Sequence, residues 1–351
     1  MKQGLPSSLQ EVFDTWAPAF PACAACVFTP DEIFYSTSGL ALSGEHMVPV
    51  DEHTAFDLAS LTKALAAAPA LFRCVETGLM DLRDPPTSLL PWTTEPLHSY
   101  LKRVTLEQLL RHAAGLPAYA PFFETALTPE DMLRALGRLI PQGEPGTGFL
   151  YSDIGYIILG HHLTETLGCP WTDWALEHLF EPAGVGFSFW DTKRGNPLAP
   201  NWEPGKKPGT VHDENARILG PHCAQAGLYG SLADVTHWLR RLWKIHQGDS
   251  GGPLTTGSLR MMWSPVHPSD AFTHGFDRPS REGFTTAGDT VDRKSTVGHL
   301  GFSGTAFWLH PPTGTGGVLL TNRVHLGRHA AMDTLRSFRA AFFAQGWKIN
   351  R

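Results

Sequence analysis

Strand-like runs lie at both ends of this chain and helix-like runs fill its middle, which limits the folds open to it. Near the start, residues 23–29 and 33–38 are apolar runs split by Pro30-Asp31-Glu32, the pattern of a β-hairpin. In the last third, strand-like runs recur at 227–229, 271–276, 295–299, 306–310 and 317–321. Between them, 105–180 reads as helical. Thr105 and Thr128-Pro129-Glu130-Asp131 carry N-terminal cap signals, 152–167 ends at Gly168, and 171–180 forms a fourth helical segment. Further helices are expected at 7–16, 231–245 and 329–345, while 190–215, rich in Pro, Gly and Lys, shows no clear element. The chain therefore predicts an α/β (α+β) fold, an antiparallel sheet flanked by helices and formed from both chain ends. The sheet domain is expected at 1–82 and 215–351, with an all-helical lobe at 83–214 inserted and a ligand site in the cleft between them.

Composition narrows the function. A chain of 351 residues buries a sizeable core, and a net charge of -6 without any basic run argues against nucleic acid. No apolar run approaches the roughly 18 residues of a membrane span, and no apolar h-region follows Met1. The cysteines, Cys23, Cys26, Cys74, Cys169 and Cys223, are odd in number and scattered. They read as reduced thiols, so a cytoplasmic protein is expected. Cys23-x-x-Cys26 has no second half to complete a zinc site and reads as part of a strand.

One stretch carries chemistry. After the short apolar segment 56–59, Ser60-Leu61-Thr62-Lys63 opens an Ala- and Leu-rich run to Thr77, with Gly78 as its C′ residue. On a helix Ser60 and Lys63 share one face, one turn apart, at the positive end of the dipole. A serine attacks only when something takes its proton, and a lysine tuned by its surroundings can take part in that. Alone, the tetrapeptide is better read as a capping serine and a solvated lysine.

Two later motifs change that. Tyr151-Ser152-Asp153 follows a turn-rich segment at a helix start, and Gly298-His299-Leu300-Gly301-Phe302-Ser303-Gly304 lies on a late strand. With them the chain resembles the penicillin-recognising serine hydrolases: class C β-lactamases, D-alanyl-D-alanine carboxypeptidases, D-aminopeptidases and related esterases. Ser60-x-x-Lys63 matches their S-x-x-K, Tyr151-Ser152-Asp153 stands at Y-x-N, and His299-Leu300-Gly301 at K-T-G. Leu109-Leu110-Arg111-His112-Ala113-Ala114-Gly115-Leu116 is similar to their L-L-x-H-T-S-G-L, and 211–216 and 226–231 fit as well.

The resemblance implies Ser60 as nucleophile and Tyr151 as base, as phenolate or through a shared proton, with Lys63 and His299 beside it. It implies an oxyanion hole from the Ser60 and Phe302 N–H groups, with Asp153, His299, Gly301 and Phe302 on the substrate. No cofactor or metal is expected, and the partner is a small ester, amide or peptide substrate of an acyl-enzyme reaction. Three departures matter. Asp153 stands where an asparagine would donate to a substrate carbonyl. His299 replaces a lysine and offers a fixed charge only when protonated. Pro69 lies inside the Ser60 helix, where it should kink it. The expectation is an esterase first, a D-amino-acid peptidase or carboxypeptidase second and a weak β-lactamase third. A catalytically silent binding or scaffolding member is the reading from another class, and the intact Ser60, Lys63 and Tyr151 argue against it. His161-His162 reads as structural, and His212-Asp213-Glu214 as a loop cluster rather than a metal site.

Overall fold

A computed structural model describes residues 1–43, 46–86, 90–189, 198–199 and 209–349. Its main sheet has strands β1 (Lys2–Gln3), β2 (Ala22–Phe28), β3 (Ile33–Ser43), β4 (His46–Pro49), β8 (Val297–Leu300), β9 (Ala306–His310) and β10 (Thr315–Thr321). Their order is β1-β3-β2-β10-β9-β8, with β4 on β3. All pairings are antiparallel except β1 with β3. A small second sheet joins β5 (Phe56–Asp57), β7 (Leu228–Gly230) and β6 (Ser188–Phe189).

Strand β2 shows why helices flank the main sheet. It is buried along its whole length, and alternate residues enter two separate cores. Ala22, Ala24, Cys26 and Phe28 join the larger core, whereas Cys23, Ala25 and Val27 face the smaller one. Cys23 and Cys26 therefore point to opposite faces and cannot share a ligand, as an odd spacing on a strand requires. The smaller core packs under helices α1 (Ser7–Trp16) and α11 (Met332–Gly346), where Phe338 stacks on Phe20 at 6.1 Å. The larger core lies under α2 (Ala68–Glu76) and α9 (Leu232–His246), tied together by Trp238 Nε1 donating to Leu65 O at 2.9 Å.

Between these ends the chain is helical: α3 (Leu97–Leu101), α4 (Leu106–Leu110), α5 (Pro129–Leu136), α6 (Asp153–Leu167) and α7 (Trp171–Ala175). The cap signals act as read from the sequence. Thr105 and Gln108 form a capping box, Thr128 caps α5, Ser152 caps α6, and Gly168 ends α6 in the left-handed region.

The structure departs from the pattern in three places. The run at 271–276 makes no strand, only an isolated bridge between Phe272 and Asp277. Of the stretch 190–215, residues 190–197 and 200–208 lie outside the described residues, and Glu214 opens helix α8 (Glu214–Leu219). Helix α10 (Thr256–Trp263) lies in a segment that carries no clear helical signal. Among the described residues no helix is long and apolar enough to cross a membrane.

Candidate active site

The Ser60 segment is held in a conformation its residues would not choose alone. Ala59 has φ 47°, in the left-handed region that a side chain disfavours. Its neighbours fix it there. Ala59 N–H donates to Asp57 Oδ1 at 2.8 Å, and Ala59 O accepts from Thr62 Oγ1 at 2.6 Å. Leu58 N–H donates to Leu228 O at 2.9 Å. From the far side, Ser303 Oγ donates to Asp57 O at 2.7 Å and Thr305 Oγ1 to Leu58 O at 3.0 Å.

The helix beyond begins with a wide turn, Lys63–Ala67, in which Ala68 N–H reaches back to Lys63 O. Pro69 explains it: a proline inside a helix lacks the N–H and collides with the carbonyl four residues back, and a π turn opens that space. The kink expected at Pro69 thus appears as a widened turn that begins at Lys63.

Lys63 is fully buried, and its ammonium has three partners. Nζ donates to Ser60 Oγ at 3.1 Å and to Gln225 O at 2.8 Å, and it pairs with Asp153 Oδ1 at 2.7 Å. It also lies 5.0 Å from the centre of the Tyr151 ring and 5.4 Å from that of Tyr156. The Tyr151 hydroxyl is hydrogen-bonded to Ser60. Ser60, Lys63, Tyr151 and Asp153 are thus brought into one contact set from segments far apart in sequence.

His112 positions Tyr151. Its ring lies 4.4 Å from the tyrosine ring, and its Nδ1 accepts from Ser152 N–H at 3.0 Å. Burial, with help from Lys63 and His299, holds its pKa well below the ordinary value. The imidazole is therefore neutral, with its proton on Nε2. Burial also pushes the Tyr151 phenol well above its usual pKa, and the carboxylates of Asp153 and Asp277 add to that. That direction favours the neutral phenol, the form in which Tyr151 acts through a shared proton.

His299 is buried behind this set, its ring 6.1 Å from that of Tyr151. Its Nδ1 lies 2.9 Å from Leu300 O and its Nε2 3.8 Å from Asp277 Oδ1. Burial lowers its pKa, the Asp277 charge opposing. Gly301 is a glycine of necessity, because a Cβ there would stand 2.0 Å from Thr305 Oγ1 and 2.8 Å from Leu58 O. Phe302 is 39 % exposed. Among the described residues neither Ser60 N–H nor Phe302 N–H finds a backbone or side-chain acceptor. The Ser303 and Thr305 hydroxyls, bonded to Asp57 O and Leu58 O, set the spacing between these two donors.

A cavity of about 760 Å³ opens over Ser60, lined also by Tyr151, Asp153, Gly301 and Phe302. His299 is not on its wall. Four carboxylates are: Asp153, Asp213, Glu214 and Asp277. Asp213 caps α8 by accepting from Ala216 N–H at 2.7 Å, and burial together with Asp153 raises its carboxyl to about 6. Glu214 is paired with Arg328 at 2.5 Å. Sequence reasoning places Asp213 in an inert loop cluster and misses Asp277 altogether. His112 is legible only through the L-L-x-H-like motif. His161 packs against His222, the rings stacked at 5.1 Å.

Comparison with known proteins gives the family and the fold. The family model described as "Beta-lactamase" matches residues 11–342. An N-acetylmuramyl-L-alanine amidase of Bacillus subtilis (strain 168) is 24% identical over 306 residues, covering 78% of this chain and 68% of its own. Two solved structures share the fold. "EstCE1, a hydrolase with promiscuous acyltransferase activity" superposes with a TM-score of 0.73 at 21% identity, covering 96% of this chain and 97% of that one. A class C beta-lactamase mutant does so with a TM-score of 0.75 at 17% identity, covering 97% and 98%.

Proposed function

The chain belongs to the beta-lactamase family and is a serine hydrolase, and from that premise we propose that Ser60 is its nucleophile, served by Lys63 and Tyr151, acting on small carboxylic esters. The observation that carries this reading is the polar set at Ser60 Oγ: Lys63 Nζ donates to it at 3.1 Å, and the Tyr151 hydroxyl is within hydrogen-bonding reach of the same serine.

The steps follow from the protonation states. Ser60 Oγ attacks the ester carbonyl, and as that bond forms its proton passes to the Tyr151 oxygen. Tyr151 gives its own proton to the leaving oxygen, whose bond to the acyl carbon breaks. Water then adds to the acyl carbon and yields a proton to Tyr151, and Tyr151 returns one to Ser60 Oγ as the bond between Oγ and the acyl carbon breaks and the carboxylic acid leaves. The phenol is neutral before and after each half, so no resting phenolate is needed. The Lys63 ammonium orients Ser60 and steadies the charge in transit, and the free N–H groups of Ser60 and Phe302 receive the carbonyl oxygen.

In this reading the site lies in the cleft between the sheet-bearing ends, 1–82 and 215–351, and the segment 83–214. Cavity-lining residues Tyr119, Tyr151 and Asp153 on one side and Ser60, Gly301 and Phe302 on the other support that division. Asp153 and the buried His299 disfavour the β-lactam reaction, since neither offers a donor or a fixed charge to such a substrate. A second reading, hydrolysis of an amide with a free amino group, is supported by Asp153, Asp213 and Glu214 on the cavity wall, which suit a substrate ammonium. The amidase among the relatives also fits it. The five free cysteines go with work in a reducing compartment.

The test is Ser60→Ala, which removes only the hydroxyl and leaves Lys63 its bond to Gln225 O and its pairing with Asp153. The variant should lose hydrolysis of p-nitrophenyl butyrate, and a fluorophosphonate should label wild-type protein at Ser60. Activity kept in the variant, or label on another serine, would overturn the assignment.

A further inference from the structure

Two buried arginines stand behind the Gly301–Phe302 peptide. Arg339, on α11, is 7 % exposed. Its Nη2 donates to Gly301 O at 2.9 Å and to Thr305 O at 2.6 Å, and its Nε has no acceptor. Arg323, just after β10, is fully buried. Its Nη2 donates to Phe302 O at 2.7 Å, and its Nη1 to Arg328 O and Ala330 O at 2.9 Å each. Its guanidinium lies 4.8 Å from the centre of the Phe302 ring, and its Nε also has no acceptor. Among the described residues neither arginine forms an ion pair. Burial lowers both pKa values, that of Arg339 to about 9, with the charge of Arg323 adding to the shift and Asp277 opposing it.

Burying a cation without a counter-ion is costly, and a protein keeps one where negative charge develops during its work. The two guanidiniums bracket one residue. Gly301 O is the carbonyl end of the peptide whose other end is Phe302 N–H. A cationic donor on that carbonyl draws electrons along the amide and makes the N–H a stronger donor. Arg323 holds the next carbonyl along, so Phe302 is fixed from both sides.

We propose that Arg339 and Arg323 are positioning residues of the oxyanion site, which aim and polarise the Phe302 N–H and place positive charge behind the substrate oxygen. This rests on the reading of Ser60 as nucleophile and of Phe302 N–H as an oxyanion donor. The competing account is that both arginines only tie the turn at 301–305 to the last helix.

The experiment compares a charged with a neutral ligand of one size on Arg339→Gln, Arg339→Lys and Arg323→Gln. Butylboronic acid bonds to Ser60 Oγ, the serine proton leaves, and the adduct is a tetrahedral anion. Butyramide stays neutral. In Arg339→Gln, kcat/KM for p-nitrophenyl butyrate should fall by between about tenfold and a hundredfold, less than loss of an oxyanion donor outright. The butylboronic acid Ki should rise by the same factor, with the butyramide Ki within twofold of wild type. Arg323→Gln should move both constants in the same directions by a smaller factor, and Arg339→Lys should recover most of the loss. If Arg339→Gln keeps kcat/KM and the boronate Ki within twofold, or if both ligands weaken alike, the arginines are structural and the proposal fails. Should Arg339→Gln not fold, Arg339→Lys decides. A boronate-to-butyramide ratio within threefold of wild type supports the proposal, and a lost ratio overturns it. Ser60→Ala separates the two layers, since activity in that variant sinks the nucleophile reading, whereas an inactive Ser60→Ala beside a fully active Arg339→Gln sinks only this one.

Discussion

Asp153→Asn tests the electrostatics of the site most directly. Asp153 Oδ1 sits 2.7 Å from the Nζ of a fully buried lysine. At that distance the attraction is about 6 kcal/mol at an effective dielectric constant near 20, before desolvation is counted. Removing one partner of a buried pair typically costs about 3–5 kcal/mol. The cost here should fall at the low end, about 3 kcal/mol, because Lys63 keeps Ser60 Oγ and Gln225 O as acceptors. A domain with an ordinary stability of about 5–15 kcal/mol survives that.

The same change removes a negative charge that holds the Tyr151 phenol up. Proton exchange through Tyr151 then becomes easier for every substrate. A β-lactam gains further, because the new side-chain amide donates to its side-chain carbonyl, worth about 1 kcal/mol net. In wild type, kcat/KM for p-nitrophenyl butyrate should exceed that for a chromogenic cephalosporin by at least about two orders of magnitude, a gap of about 2.7 kcal/mol. Asp153→Asn should cut that gap about fivefold to tenfold. The assay is kcat/KM for both substrates on both proteins, with urea unfolding alongside. A wild-type enzyme that prefers the cephalosporin, or a variant in which the gap widens, would refute the reasoning.

Two further outcomes are expected. Tyr151→Phe removes only the hydroxyl, so urea unfolding should be little changed while ester turnover falls by about 10²–10⁴; turnover within threefold of wild type would place the base elsewhere. Asp213 carries a carboxyl raised from 3.8 to about 6, so the folded protein binds more protons than the unfolded chain between those values. Stability should therefore fall as pH rises from about 4 to about 6, and Asp213→Asn, which can still cap α8, should flatten that slope and raise Tm at pH 7. A variant with the wild-type slope would show that this carboxyl titrates normally.

The sequence displayed the reacting groups and hid what tunes them. Ser60, Lys63, Tyr151 and the 299–304 segment stand in short motifs, and the caps at Thr105, Thr128 and Ser152 act over three or four residues, so local chemistry marks both. The sheet was legible from its apolar runs, whereas β1 and β6, with two residues each, are too short for any period to show. The wide turn at Lys63–Ala67 follows from Pro69, which was visible, but whether a helix bends or widens around a proline depends on what packs beside it. Asp277 lies far along the chain from Tyr151, and only the fold brings its charge near the phenol.

The arginines were the least legible, and they alter the meaning of the site. Arg339 sits in an amphipathic helix, where an arginine usually belongs to the solvated face, and its partners are backbone carbonyls of residues 301 and 305, which no side-chain pattern encodes. Beside Ser60, the charge of Lys63 is answered by Asp153. That pair orients the nucleophile but adds little net field for an oxyanion. At Phe302 the balance differs, since among the described residues Arg323 and Arg339 are buried without an ion pair, with the Asp277 charge acting on Arg339 but not paired to it. On the proposed reading, positive potential for the developing oxygen comes from behind the Gly301–Phe302 peptide, while the Lys63–Asp153 pair stays close to neutral. On that proposal an aspartate is tolerated beside the serine because attack is guided by hydrogen bonds on one side and charge is absorbed on the other.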